Sequence, residues 1–224
     1  MTSRTALLAG ATGLVGRELT RQIAGDAHYA TLHLLLRRPV PELESLPKVR
    51  ALLVDFEALP PLPQADDVYI ALGTTIKVAG SEQAFRRVDY DYALNVARAA
   101  RAAGAQRLGI ISALGADPSS RVFYNRVKGE LERDVVSLGY ESVSIAQPSL
   151  LLGDRESLGQ AARAGEVWAK RLLSPISKLL PAQVRPVEAA DVASALINAV
   201  RGTSGSRQSA AGVSRIASRD MHRR

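Results

Sequence analysis

The chain has 224 residues and a mass of 23.9 kDa, room for one α/β domain with a substantial core but not for a separate large substrate domain. With 46% hydrophobic and 23% charged residues it has the mix of a folded protein rather than a disordered or fibrous one, and without cysteine it has no disulfide framework, thiolate metal site or cysteine nucleophile. The net charge of +7 is concentrated at one end: from Arg201 onward there are six arginines and one acid, and the rest of the chain balances at +2.

Three histidines offer little to a zinc ion, and no metal site is expected. No stretch approaches the roughly 18 consecutive apolar residues of a membrane span, and the N-terminus leads into a strand-like run without a signal-peptide pattern. A cytoplasmic protein with no membrane partner is the expectation.

Short apolar runs alternate with helix-period segments along the chain. Thr5–Ala9 reads as a first strand, and Leu14–Ala24 as a helix with apolar residues at 14, 15, 19 and 23. Leu32–Leu36, Ala51–Val54 and Val68–Leu72 read as the next three strands. An alanine-rich helix over Gln83–Ala103 ends at Gly104. Leu108–Ser112 is a fifth strand, Val122–Leu138 a helix closed by Gly139, and Ser142–Ala146 a sixth strand. Parallel strands need crossover connections, so this order predicts a single doubly wound Rossmann-type α/β domain with helices on both faces of the sheet.

Beyond Pro148 the pattern loosens into a small substrate-side extension over 150–200. Residues 155–180 read as one or two helices broken near Ser174-Pro175, Gln183–Val187 as a small strand, and Asp191–Arg201 as a helix capped by Asp191. Gly202–Gly212, made of small and polar residues and Arg207, reads as a loop, and Val213–Ala217 as a last edge strand. The expected division is a nucleotide-binding domain over 1–201 and a flexible loop with a basic tail over 202–224.

Directly after the first strand stands Gly10-Ala11-Thr12-Gly13-Leu14-Val15-Gly16, opening a helix. Glycines permit a tight turn and a close approach of backbone N–H groups to a pyrophosphate, while the helix N-terminus supplies a favourable dipole. The end of the second strand selects the nucleotide, because an acid there would bond the ribose and an arginine would pair with a 2′-phosphate. Arg37 and Arg38 occupy it, 21 and 22 residues after Gly16, so NADP(H) is preferred over NAD(H); the alternative is a solvated strand end. Asp55-Phe56, closing the third strand, lies along the crevice where adenine would sit, unless Asp55 is only a helix cap.

Tyr124 and Lys128 are four apart on a predicted helix and share a face, and Ser112 ends the fifth strand twelve residues earlier. A phenol, with a pKa of about 10, is a poor acid at neutral pH unless a nearby ammonium stabilises its phenolate. Tyr124 would give a proton to a carbonyl oxygen as hydride is delivered, Ser112 would hydrogen-bond that oxygen, and Lys128 would also hold the nicotinamide ribose. A surface Tyr–Lys pair beside a strand-end serine is the bland alternative.

Together these motifs resemble the short-chain dehydrogenase/reductase superfamily. The strings Ala71-Leu-Gly-Thr-Thr75, Val88-Asp-Tyr-Asp91, Ile111-Ser-Ala-Leu-Gly-Ala-Asp117, Tyr124-Asn-Arg-Val-Lys-Gly-Glu130 and Gln147-Pro-Ser-Leu-Leu-Leu-Gly153 are similar to its atypical NAD(P)-binding branch, the one related to the Tat-interactive oxidoreductase-like protein. The similarity covers about residues 5–200. It implies that Gly10, Thr12, Gly13, Leu14 and Val15 surround the pyrophosphate, with Arg37 and Arg38 at the 2′-phosphate and Asp55 and Phe56 at adenine. It further implies that Leu72, Gly73 and Thr74 pass the adenine-side ribose and pyrophosphate, and that Pro148 and Ser149 stand beside the carboxamide. Ser112, Tyr124 and Lys128 match the catalytic triad. Asp89 stands where many relatives carry asparagine, and Ala113 where many carry a second serine.

The reading that follows is an NADPH-dependent reductase acting on a small or hydrophobic carbonyl or quinone, with a homodimer expected from superfamily habit. Its competitor is an NADP(H)-binding regulatory protein with little catalysis, which Asp89 and the short substrate region favour. Nucleic acid is not expected as a partner, because no aromatic residue interleaves the arginines between 201 and 224 to stack on bases.

Overall fold

Every strand of the main sheet runs in the same direction, and the order reverses once. In a computed structural model, which describes residues 3–149, 151, 152, 185–202 and 212–221, the strands are β1 (Arg4–Ala9), β2 (Tyr29–Leu36), β3 (Val49–Leu53), β4 (Asp67–Ile70), β5 (Arg107–Ile111), β6 (Ser142–Gln147), β7 (Leu151–Leu152), β8 (Val187–Glu188) and β9 (Val213–Ala217). Seven of them form one parallel sheet in the order β3-β2-β1-β4-β5-β6-β9, while β7 and β8 pair separately. Chain progression changes direction between β1 and β4, and in open sheets of this kind a crevice opens there, outside the strand C-termini.

The sheet is buried on both faces because its strands are apolar on both. Along β1, residues alternate between two cores: Ala6 and Leu8 belong to one, Leu7 and Ala9 to the other. The first core is closed by α1 (Leu14–Gly25), through Val15, Leu19 and Ile23, and by α7 (Ala189–Arg201), through Val192, Leu196 and Val200. These residues recur at helical spacing, so one face of each helix meets the sheet. The second core is closed by α5 (Ala93–Ala102) and α6 (Phe123–Val136).

Several elements differ from expectation. The Gln83–Ala103 helix is composite, with α4 (Glu82–Arg86), a π-helical segment (Arg87–Tyr92) and then α5. The wider turn offsets the faces before and after it, and Asp89 within it is buried. Two short helices, α2 (Pro41–Glu44) and α3 (Ile76–Ala79), follow β2 and β4. Asp191 does not cap α7: β8 leads straight into the helix, Glu188 takes the cap position, and Asp191 falls in the first turn, where the helix dipole favours an acid.

Val213–Ala217, the expected edge strand, is the seventh strand of the sheet, in parallel register with β6. Ser218 and Met221 beyond it are buried, so residues 212–221, which the sequence assigns to a tail, are part of the domain. Two apolar faces demand this: Val213 enters one core and Ile216 the other. The helices expected within 155–180, most of the 183–187 strand and the loop over 203–211 lie outside the described residues.

Candidate functional site

The turn after β1 is packed against itself and against the end of β4. Gly10 has φ +91°, and a Cβ there would come within 2.4–2.6 Å of backbone atoms of Ala71 and Leu72. A Cβ on Gly16 would lie 2.0 Å from the carbonyl oxygen of Gly10. Only glycine satisfies both positions. Gly13 differs, since its nearest neighbour would be 3.6 Å from an added Cβ; it occupies the cap position of α1, which has no side-chain cap and no acid in its first turn. The N–H groups that open α1 therefore face the crevice without a competing carboxylate, which suits a pyrophosphate. Thr12 and Leu14 are half-buried, and Val15 turns its side chain into the core.

Arg37 and Arg38 follow β2 as two exposed cations. Asp55 is exposed, and its carboxylate accepts the N–H of Glu57 at 2.9 Å, closing a local turn with no helix after it. Phe56 is 4% exposed, and its ring stacks on Tyr92, 5.8 Å between centroids, as part of the core.

Beyond β4, Leu72 and Thr74 are half-buried and Gly73 is exposed. Here the π-helical segment meets α6. Lys128 Nζ lies 2.7 Å from Asp89 Oδ1, with the two side chains only 5% and 1% exposed, and the Thr74 N–H donates to Asp89 Oδ2 at 2.8 Å. One buried carboxylate thus brackets both the lysine of α6 and the loop after β4.

Tyr124, Lys128 and Glu132 are spaced four apart on α6 and share a face. Tyr124 is half-buried, its ring leans on Phe85 at 5.4 Å, and among the described residues its hydroxyl has no hydrogen-bond partner. Ser112 does not join it. Its hydroxyl donates to Glu132 Oε1 at 2.5 Å, and Glu132, itself buried, also accepts from Gln147 Nε2 at 2.9 and 3.1 Å and from Arg215 Nε at 3.3 Å. The structure therefore brings Tyr124 and Lys128 together on one helix and turns Ser112 toward a different carboxylate. Pro148 is buried, and Ser149 is fastened to neighbouring chain, its hydroxyl donating to the Arg185 carbonyl at 2.6 Å and its N–H to Ser218 Oγ at 3.2 Å.

Sequence reasoning did not single out Glu132 or the bond from Asp89 to Lys128. Glu132 carried a signal, standing one turn beyond Lys128 on the face already marked by Tyr124. Asp89 carried only its departure from asparagine. A cavity of about 520 Å³, lined by Pro118, Gly129, Glu132, Gln147 and Arg215 among others, includes neither Tyr124 nor the glycine turn.

Comparison with known proteins decides the family. The model of the NAD(P)H-binding family matches residues 10–137, from the first glycine of the turn to the end of α6. The chain belongs to that family. The HTATIP2 protein of Rattus norvegicus is 36% identical over 181 residues, covering 79% of this chain and 73% of its own. The mitochondrial FMP52 protein of Eremothecium gossypii is 36% identical over 155 residues, 68% of each chain. Among solved structures, a short-chain dehydrogenase/reductase of Mycobacterium ulcerans superposes with a TM-score of 0.68 at 17% identity, covering 99% of this chain and 90% of that one. A Burkholderia thailandensis oxidoreductase of the same class gives 0.67 at 15% identity, with 98% and 93% covered. These two share the Rossmann fold. The expectation of a cytoplasmic protein is overturned: several FMP52 relatives, from Debaryomyces hansenii, Candida albicans and Saccharomyces cerevisiae as well as Eremothecium gossypii, are mitochondrial proteins by name.

Proposed function

We propose that this NAD(P)H-binding, oxidoreductase-like protein reduces a small or hydrophobic carbonyl or quinone, using NADPH in preference to NADH. The observation that carries the reading is the pair Tyr124 and Lys128, one turn apart on α6, with Lys128 buried against the Asp89 carboxylate that also holds the loop after β4. The glycine turn and the opening N–H groups of α1 would hold the pyrophosphate, and Arg37 and Arg38 the 2′-phosphate. Bound there, the nucleotide supplies hydride for the carbonyl carbon. Tyr124, whose hydroxyl is uncommitted among the described residues, donates its proton to the carbonyl oxygen and is reprotonated from solvent. Lys128 holds the ribose beside it.

The test is NADPH oxidation with a panel of ketones, aldehydes and quinones. Wild-type protein turns over at least one of them, Tyr124→Phe lowers kcat by about 10²-fold or more, and Arg37→Ala removes the preference for NADPH over NADH. Undiminished turnover by Tyr124→Phe would refute the assignment.

A second reading, an NADP(H)-binding regulatory protein with little chemistry, is favoured by the commitment of the Ser112 proton to Glu132 rather than to a substrate oxygen. It is supported if NADPH binds tightly and no carbonyl is turned over.

A further inference from the structure

The buried pair of Asp89 and Lys128 does more than fix a side chain. A nicotinamide ring carries a positive charge when oxidised and none when reduced, so any net charge held near it distinguishes the two forms. A lysine alone would repel the oxidised ring. Here its ammonium lies 2.7 Å from a carboxylate, and the two side chains are 5% and 1% exposed, where water screens charge poorly. Nothing at position 73 stands over them: the residue is an exposed glycine, and a Cβ on it would come 3.4 Å from Asp89 Oδ1 and 4.0 Å from Lys128 Nζ. The pair thus lies against the backbone of the loop that follows β4. Asparagine could not reproduce the bracket, because one of its two terminal atoms is a donor and would face either the ammonium or the Thr74 N–H.

We propose that Asp89 balances the charge of Lys128 and thereby sets how the protein discriminates between oxidised and reduced nicotinamide nucleotide. Asp89 is a positioning residue that acts through Lys128, and the inference rests on the reading that Lys128 lies on the nicotinamide side of the site. It concerns binding, so it holds whether the protein catalyses or only senses.

The experiment measures dissociation constants of NADPH and NADP⁺ for the full chain by titration calorimetry at neutral pH. Four forms are compared: wild type, Asp89→Asn, Lys128→Met, and the double variant. Asp89→Asn removes one negative charge beside Lys128 and shifts the ratio of affinities toward NADPH, on the order of tenfold. Lys128→Met leaves an unbalanced carboxylate and shifts it toward NADP⁺. The double variant, with both charges gone, returns to within about twofold of wild type. A merely structural loss would weaken both nucleotides in parallel and leave the ratio where it was, which would overturn the proposal. If Asp89→Asn fails to fold because the buried lysine has lost the Asp89 carboxylate, the opposite shift in Lys128→Met and the recovery in the neutral double variant still decide. Binding of neither nucleotide by wild type would refute the nucleotide-site reading itself and this inference with it. Binding of both with an unmoved ratio refutes the inference alone.

Discussion

Gly10 and Gly16 close the same turn for different reasons, and Gly13 between them has a third. Gly10 needs both a positive φ and a bare Cα against Ala71, and Gly16 needs only the bare Cα, because the Gly10 carbonyl occupies the space of its Cβ. Adding a methyl at 16 would force backbone apart at the junction of α1 and β1, and overpacking of this kind costs about 1–3 kcal/mol or more. Gly13, with φ −77° and room around it, accepts alanine without strain. Gly16→Ala should therefore lower the melting temperature and abolish nucleotide binding. Gly13→Ala should melt within a few degrees of wild type and lose affinity alone, since its added methyl would stand in the turn that we propose holds the pyrophosphate. Equal melting losses in the two variants would contradict the division of roles.

Among the elements, α6 is the one through which the site and the sheet edge are joined. Its Glu132 accepts from Ser112 at the end of β5, from Gln147 at the end of β6 and from Arg215 on β9. The Ser112 and Gln147 bonds dominate, because Glu132 is buried there, whereas the Arg215 side chain is 53% exposed and its ion pair is screened. Glu132→Ala leaves the Ser112 and Gln147 donors without their acceptor and opens a cavity. In chemical denaturation it should cost about 2–4 kcal/mol, and Arg215→Ala less than about 1 kcal/mol. Comparable losses from both would show that the ion pair, not the buried hydrogen bonds, holds the edge. Strands β1 to β6 and helices α1 and α6 were legible because apolar period and bounding glycines agree in them. The π-helical segment was not, since a single extra residue per turn leaves an alanine-rich stretch still periodic to the eye. Its consequence, Asp89 turned inward onto Lys128, was hidden for the same reason. Tyr124 and Lys128 were legible as a helical pair. Where the Ser112 proton goes was not, because a strand-end residue meets partners from distant elements and no spacing records them.

At the scale of the whole molecule the two ends of the strands are treated oppositely. The C-terminal ends of the strands meet at the crevice, while the N-terminal ends are closed by charge. Buried Asp67 accepts from Arg107 at 2.7 and 2.8 Å, from Arg4 at 3.1 Å and from the Tyr29 hydroxyl at 2.7 Å, and Arg201 pairs with Asp26 nearby. Arg201 and Arg215, two of the six C-terminal arginines, are thus paired with acids of the domain rather than carried on a tail. His28 sits among these charges. Burial, and then the Arg201 guanidinium, hold its imidazole below the usual value of 6.5, and burial followed by Arg50 does the same for His33. A depressed folded-state value means that the unfolded chain takes up these protons first. Stability contributed by the neutral imidazoles is complete above about pH 6.5 and is lost as the pH falls below that value, until the folded protein protonates too. Melting temperature should therefore fall between pH 7.5 and pH 5.5. The double variant His28→Gln, His33→Gln should show a shallower drop over the same interval. An identical slope in wild type and variant would assign the acid sensitivity to other groups and leave the two histidines without a part in it.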